Sequence, residues 1–389
     1  MKTAAIVCEY DPLHLGHVRQ FSLLRQALGE DTRIVCLMSG SFVQRGRPAV
    51  IDAPTRARAA VQSGADLLLE LPLTASLSSA EGFAAGAVDV LDRLGVVDFL
   101  CFGCESGDGN KIMSTAMLLR SDAFSEALRA RLAEGKSFAA TRQEALEDAG
   151  GDGSVLQSPN DILAVEYCKA LLASGSKIVP LAVHRAGSYH DTEIDPVNPS
   201  AKALRALMPD KKWLDYVPEA ARPLFADAAL HRIEYGERAI LARLRSMDEG
   251  EFEALPYGSE GLWRKLMAES RRASSLEELI AGVKSRRYAR ARIKRMILCA
   301  FLGVRAIDLP VPAPYVRALA FNDAGRDILR QAKEQGTIPV LPAGQKAEGR
   351  LFELEQRASR LYPLFLPPEE IAEIPEKQRV FCAQPEEKI

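Results

Sequence analysis

The sequence predicts an α/β protein, with a parallel sheet covered by helices in the first half of the chain and a mainly helical region after it. Two observations carry this expectation. Short apolar runs alternate with stretches of helical period up to about residue 208, the pattern of strands joined by crossover helices. Beyond that point strand patterns thin out, helix formers increase, and prolines stand at 209, 218, 223 and 256. With 389 residues, 47% hydrophobic and 26% charged, the chain has room for two or three domains and an ordinary globular composition. The expected division is 1–208 for the sheet, 209–303 for the helical region and 304–389 for a small mixed unit with an acidic tail.

Strands are expected from Ala4 to Cys8, Arg33 to Met38, Asp66 to Glu70, Asp98 to Phe102 and Lys177 to Val183. Helices are expected from about Gly16 to Leu28, Thr55 to Ser63, Ala80 to Leu94, Ser121 to Glu134 and Asp161 to Ser174. In such a sheet ligands bind beyond the carboxyl ends of the strands, where strand order reverses. The informative loops are therefore those that follow strands.

The first of these organises the chain. The run Ile6-Val7-Cys8-Glu9-Tyr10-Asp11-Pro12-Leu13-His14-Leu15-Gly16-His17-Val18-Arg19-Gln20 reads as a strand end, an Asp-Pro turn and a helix start. His14 and His17, three positions apart, share one face of the first helical turn. Free backbone N–H groups and the positive end of the helix dipole favour phosphate at that place. Two ring donors there suit the α-phosphate of ATP as it becomes five-coordinate, and Gly16, lacking a side chain, lets a base lie against the backbone. The bland alternative is a pair of polar helix-start residues; an apolar strand and an Asp-Pro turn just before them argue against it.

The second loop, Met38-Ser39-Gly40-Ser41-Phe42-Val43-Gln44-Arg45-Gly46-Arg47-Pro48-Ala49, offers backbone N–H groups at its glycines, Gln44, and guanidinium groups from Arg45 and Arg47 for a phosphate or a carboxylate; read alone, a solvated turn is an equal alternative. Pro72 ends the third strand, leaving Glu70 as the polar residue that would face the cleft, with a structural role the better reading. Gly103, after the fourth strand, permits close approach of a nucleotide. Asn160 opens a helix, where plain capping is the simplest reading, and Arg185, after the fifth strand, is placed to reach phosphate. His190 in the same loop is a solvent-facing residue by default.

The most basic part of the chain lies further on. Seven of the twelve residues from Lys284 to Arg295 are cationic, a density that suits a phosphate backbone, and in a helix Tyr288 would be available to stack on a base. The competing reading is a solvated helix paired with acids such as Glu277 and Glu278.

Several classes are excluded or disfavoured. A net charge of −2 gives no global signature of nucleic-acid binding, so that reading rests on the local tract. No apolar run reaches transmembrane length and no secretory leader is visible, which makes a cytoplasmic protein without membrane contact the expectation. Seven cysteines spread over the chain argue against a disulfide framework, and Cys101 and Cys104 lack the second pair that a zinc site needs. Gly135-Lys136-Ser137 is not a P-loop end, because Ala130 stands where the first glycine belongs.

At H-L-G-H the chain resembles the H-x-G-H nucleotidylyl transferases, and the longer E-Y-D-P-L-H-L-G-H is similar to the start of the bacterial tRNA(Met) cytidine acetate ligases. The likeness continues through M-S-G-S-F-V-Q-R-G-R-P-A, G-A-D-L-L-L-E-L-P, P-N-D-I-L, S-E-G-L and R-Y-A-R-A-R-I-K-R, covering roughly residues 4 to 340. Pro199-Ser200-Ala201-Lys202-Ala203-Leu204-Arg205 resembles the second signature of H-x-G-H enzymes. The departures are Ser41 for asparagine, Ala53 for lysine, Lys202 for threonine and Ala289 for threonine.

The resemblance implies a Rossmann-like H-x-G-H domain. It further implies an ATP-dependent ligase that converts acetate to acetyl-adenylate and passes the acetyl group to N4 of the wobble cytidine of elongator tRNA(Met). His14 and His17 would be catalytic. Val7, Cys8, Glu9, Tyr10, Pro12, Gly16, Gln20, Gly103, Asn160, Arg185 and Arg205 would bind ATP, and Gly40, Gln44 and Arg45 would form the substrate loop. Lys284, Arg287, Arg290 and Arg292 would hold tRNA. Mg²⁺ is implied by ATP's phosphates without a carboxylate cluster to announce it, no protein metal site is expected, and no obligate protein partner is evident. Two rival readings are a nucleotidylyl transferase that makes a nucleotide cofactor, which predicts no RNA dependence, and a non-catalytic ATP- and tRNA-binding protein, which predicts binding without turnover.

Overall fold

A computed structural model describes residues 1–132, 137–184, 195, 199–208, 210–309, 312–370 and 380–383. Arg185 and His190 lie outside the described residues, as do Gly135 and Lys136. The strands are β1 (Thr3–Cys8), β2 (Arg33–Ser39), β3 (Phe42–Val43), β4 (Arg47–Pro48), β5 (Leu67–Leu71), β6 (Phe99–Cys104), β7 (Val179–His184), β8 (Val316–Phe321), β9 (Val340–Pro342) and β10 (Phe381–Cys382). β3 and β4 form a separate antiparallel hairpin, and the other eight make one sheet.

Along this sheet the order is β10-β8-β5-β2-β1-β6-β7, with β9 paired to β8. β1 pairs in parallel with β2 on one side and β6 on the other, so the chain winds outward first one way and then the other. Strand order reverses at β1 and β6, and the crevice beyond their carboxyl ends is the expected ligand position. Both stretches that carry nucleotide-type signals, the loop after Cys8 and the end of β6 at Gly103, open there.

The five expected strands form within two residues of their expected ends. Their chemistry explains why: Val35 and Leu37 pack into one core layer while Ile34, Cys36 and Met38 pack into the other, the period-two alternation of a strand buried on both faces. The helices Leu15–Leu28, Ala53–Gln62, Ala80–Leu94, Asp122–Arg131 and Pro159–Ser174 cover those faces.

The region after residue 304, expected as a unit of its own, contributes to the main sheet. β8 lies antiparallel to β5, with Glu70 opposite Arg317, and β9 and β10 pair in parallel with β8. A strand pattern alone does not say which sheet edge it will join. The helical region has its own apolar core around Trp263, Leu266, Ile293 and Met296, but Phe42 and Leu77 from the first half and Phe365 from the last join it.

The basic tract is also corrected. Its helix begins only at Arg290 and runs to Leu302; residues 284 to 289 form a non-helical connection. Among the described residues no helix is long and apolar enough to cross a membrane.

Candidate active site

β1 delivers the chain into Glu9 and Tyr10, the latter in the left-handed region at φ +44, and then a cis peptide between Asp11 and Pro12. His14 sits at the N-cap of the Leu15–Leu28 helix and His17 at its third position. Their rings stack at 3.6 Å with an interplanar angle of 21°. His17 Nδ1 accepts a hydrogen bond from the His14 backbone N–H at 3.2 Å, which leaves the neutral ring's proton on Nε2 as a donor. Tyr10 packs against His17 with ring centroids 4.9 Å apart.

The pair opens into a cavity of about 680 Å³, large enough for a nucleotide. Of the residues expected to bind ATP, Val7, Cys8, Glu9, Tyr10, Gly16, Gln20, Gly103, Asn160 and Arg205 line it, as do His14, His17, Gln44 and Arg45. Two expected residues do not. Pro12 is buried away from the cavity, and Gly40, at the start of the second loop, is buried as well. A Cβ at Gly40 would stand 2.0 Å from Glu70 Oε1.

Each wall has a local cause. The Ala201–Leu207 helix is capped by Ser200, whose side chain accepts from the Ala203 N–H, and the helix points Arg205 back to the first turn. Arg205 Nη1 donates to the Asp11 carbonyl at 2.5 Å, with Asp11 Oδ2 3.7 Å away. Asn160 is not the cap of its helix, since Ser158 holds that position. The Asn160 amide donates to Glu105 Oε1 at 2.7 Å, fixing the side chain so that its own oxygen is left as an acceptor.

The second loop is tied to the first by two carboxylates. Gln44 N–H donates to Glu9 Oε1 at 2.8 Å and Val50 N–H to Asp11 Oδ1 at 2.7 Å. Arg47 forms an ion pair with Asp11. The guanidinium expected as one prong of an anion fork is therefore engaged within the protein, and it is Arg45 of this loop that lines the cavity. Burial would raise the Asp11 carboxyl, but Arg47, Arg205, Arg56 and the Val50 N–H outweigh it and hold the pKa below the ordinary carboxylate value. Glu9 shifts the other way: burial pushes it up despite Arg47 and the Gln44 N–H.

Thiol chemistry finds no support. All seven cysteines are free. Burial pushes Cys101 up to about 12 and raises Cys104 as well, so neither is an activated thiolate.

Arg56 was not legible as a site residue. It is fully buried, and its guanidinium donates to the carbonyls of Ile51, Glu9, Ser39 and Gly40 at 2.5 to 3.1 Å. It thereby joins the ends of β1 and β2 to the second loop. The available signal was periodic: Ala53, Arg56, Ala57 and Ala60 fall on one helical stripe, and a charge on an apolar stripe must find polar partners. Glu70, read as facing the cleft, is not on the cavity wall; burial first, then Glu355, pushes it up to about 7 against the pull of Arg317 and Arg56.

The basic tract is largely engaged within the protein. Arg287 pairs with Glu260 at 2.9 Å, Arg290 pairs with Glu277, and Arg292 donates to the Tyr257 carbonyl at 2.8 Å and to Ser259 Oγ at 2.9 Å. Lys284 is exposed. Tyr288, expected to be available for a base, is buried, and its hydroxyl donates to the Glu260 carbonyl at 3.1 Å. None of the four tRNA-type cations lines the cavity, although Ala289 and Arg295 from the same tract do.

The sequence profile of the HIGH Nucleotidyl Transferase family matches residues 1–377. A tRNA(Met) cytidine acetate ligase of Clostridium novyi is 34% identical over 390 residues, covering 94% of this chain and 95% of the relative. The chain belongs to the tRNA(Met) cytidine acetate ligase family. Another family member, from Acetivibrio thermocellus, is 31% identical over 365 residues and matches 88% of both chains.

The fold agrees throughout. The apo crystal structure of Thermotoga maritima TmcAL superposes with a TM-score of 0.90 at 28% identity over 99% of this chain and 100% of the other. The same protein bound with alpha-thio ATP gives 0.87 at 29% identity over the same shares. Within this ligase family two of the four departures have structural places. Ala289 is the N-cap of the Arg290–Leu302 helix without a side-chain cap bond, so the threonine expected there would have supplied one. Ala53 is the first, buried residue of the helix that carries Arg56.

Proposed function

We propose that the protein is an ATP-dependent ligase that activates acetate as acetyl-adenylate and transfers the acetyl group to N4 of the wobble cytidine of elongator tRNA(Met). The observation that carries this reading is the stacked His14–His17 pair at the reversal point of the sheet, facing one cavity with Gly103, Asn160 and Arg205. The names of the relatives, and the alpha-thio ATP bound to the Thermotoga protein, support the same reading.

In the first step an acetate oxygen attacks the α-phosphorus and the bond to pyrophosphate breaks. Charge accumulates on the α-phosphate oxygens, where the His17 Nε2–H and its stacked partner stabilise it. Arg205 holds the departing phosphates, and Arg185 is proposed to assist. Val7, Cys8, Glu9, Tyr10, Gly16 and Gln20 shape the nucleotide's bed, and Gln44 and Arg45 orient the acid. In the second step the cytidine N4 attacks the acetyl carbonyl, loses a proton and expels AMP. Mg²⁺ is proposed only as the ion that the nucleotide's phosphates carry in; among the described residues no group of three or more His, Cys, Asp or Glu side chains is arranged to hold a metal. The exposed Lys284 and Arg287 are the proposed first tRNA contacts, with Arg290 and Arg292 behind them.

The decisive experiment is acid-dependent pyrophosphate release from ATP, with acetate alone and then with tRNA, followed by mass spectrometry of the tRNA nucleosides. Pyrophosphate release with a new N4-acetylcytidine is the expected result. ATP binding without either product would sink the proposal.

A further inference from the structure

Arg295 stands apart from the rest of the basic tract. It lies on the Arg290–Leu302 helix, yet its side chain lines the cavity that holds His14 and His17. Its guanidinium stacks over the Tyr257 ring at 5.2 Å and reaches the Gln44 carbonyl from Nη1 at 3.5 Å. Its Nε is buried with no hydrogen-bond partner among the described residues. Arg287 and Arg290 meet carboxylates; among the described residues no carboxylate forms an ion pair with Arg295.

A buried donor left unpaired on a cation is costly, and an oxyanion that accepts from the in-plane N–H edge of the guanidinium offsets that cost. The helix backbone at Arg295 is also held in place. Gly46, at φ +74, packs so closely on this helix that a Cβ there would stand 2.7 Å from the Arg295 backbone nitrogen. The hairpin that carries Gln44 and Arg45 is thereby locked to the helix that carries Arg295.

We propose that Arg295 is an oxyanion-binding residue of the catalytic cavity, supplied by the helical region and acting in the adenylation step before tRNA is engaged. It rests on the reading of the cavity as an ATP site. The oxyanion is the acid's carboxylate or a phosphate of ATP, two sources with the same fork-shaped complement.

The test compares wild type with Arg295→Met and Arg295→Lys in three measurements: ATP affinity by calorimetry, acetate-dependent ATP–pyrophosphate exchange without tRNA, and tRNA affinity across a salt series. Arg295→Met is expected to lower the exchange kcat/KM by roughly 10²-fold, with tRNA affinity unchanged and part of the loss restored in Arg295→Lys. A raised KM for acetate at unchanged ATP affinity identifies the carboxylate; weakened ATP affinity identifies the phosphate. Wild-type exchange with weakened tRNA binding would overturn the proposal and move Arg295 to an RNA surface, and wild-type behaviour in all three would overturn it outright. Should Arg295→Met lower the melting temperature, Arg295→Lys at wild-type stability decides: exchange below wild type supports the proposal, and full exchange overturns it. Should wild type itself show no exchange, the function reading fails, and ATP affinity alone judges Arg295: weakened binding in Arg295→Met supports it, unchanged binding rejects it.

Discussion

Arg56 Nη2 donates to the Gly40 carbonyl at 2.5 Å, joining a helix on one face of the sheet to the loop that follows β2. The same guanidinium holds three further carbonyls, so its removal strands several buried acceptors at once. Arg56→Met should destabilise the fold by about 3–5 kcal/mol, taking roughly 1–3 kcal/mol for each acceptor left dry and allowing water to reach some of them. Urea unfolding measures this directly. A loss under about 1 kcal/mol would mean that the carbonyls find other partners.

Glu70 gives a stability change with a definite sign. Its folded pKa of about 7 lies above the ordinary 4.5, so between those values the folded chain holds a proton that the unfolded chain has lost. Stability should therefore fall as pH rises from about 4.5 to about 7, and the contribution should be flat on either side. Glu355 is raised too, chiefly by burial, and acts in the same direction. Glu70→Gln should flatten this slope in urea titrations between pH 5 and pH 8; an unchanged slope would show that Glu70 titrates normally.

His17→Ala removes a donor whose Nδ1 is already committed to the His14 backbone. Pyrophosphate formation should fall by about 10²–10³-fold, while tRNA affinity stays near that of wild type. Single-turnover release and a binding isotherm separate the two effects, and wild-type turnover would remove His17 from the mechanism.

Charge reversal should rank the basic tract by its existing partners. Lys284→Glu, at a cation with no carboxylate partner among the described residues, is expected to weaken tRNA binding and to reduce the salt slope by about one. Arg287→Glu and Arg290→Glu should each do less to the slope, because Glu260 and Glu277 already neutralise those charges, but each sets two carboxylates side by side. Equal slopes in all variants would make the tract a structural surface.

Much was determined by the sequence itself. Short continuous apolar runs place β1, β2, β5, β6 and β7, and the three-residue spacing of His14 and His17 places both rings at one helix start, because strand and helix geometry are local properties of a few adjacent residues. The Asp-Pro turn and the serine before Ala201 likewise act through their neighbours.

Tertiary structure alone decided which charges meet. Nothing local distinguishes Arg56, which holds four carbonyls, from exposed Arg58 beyond its place on the alanine stripe. Nor does the tract from 284 to 295 reveal that Arg287, Arg290 and Arg292 are engaged by Glu260, Glu277 and the Tyr257 carbonyl while Arg295 turns into the cavity. β8 reaches the edge beside β5, and Glu70 meets Arg317, only after the intervening chain has folded back. Long-range pairing depends on which surfaces are brought together and dehydrated, and that outcome is a property of the whole packed chain.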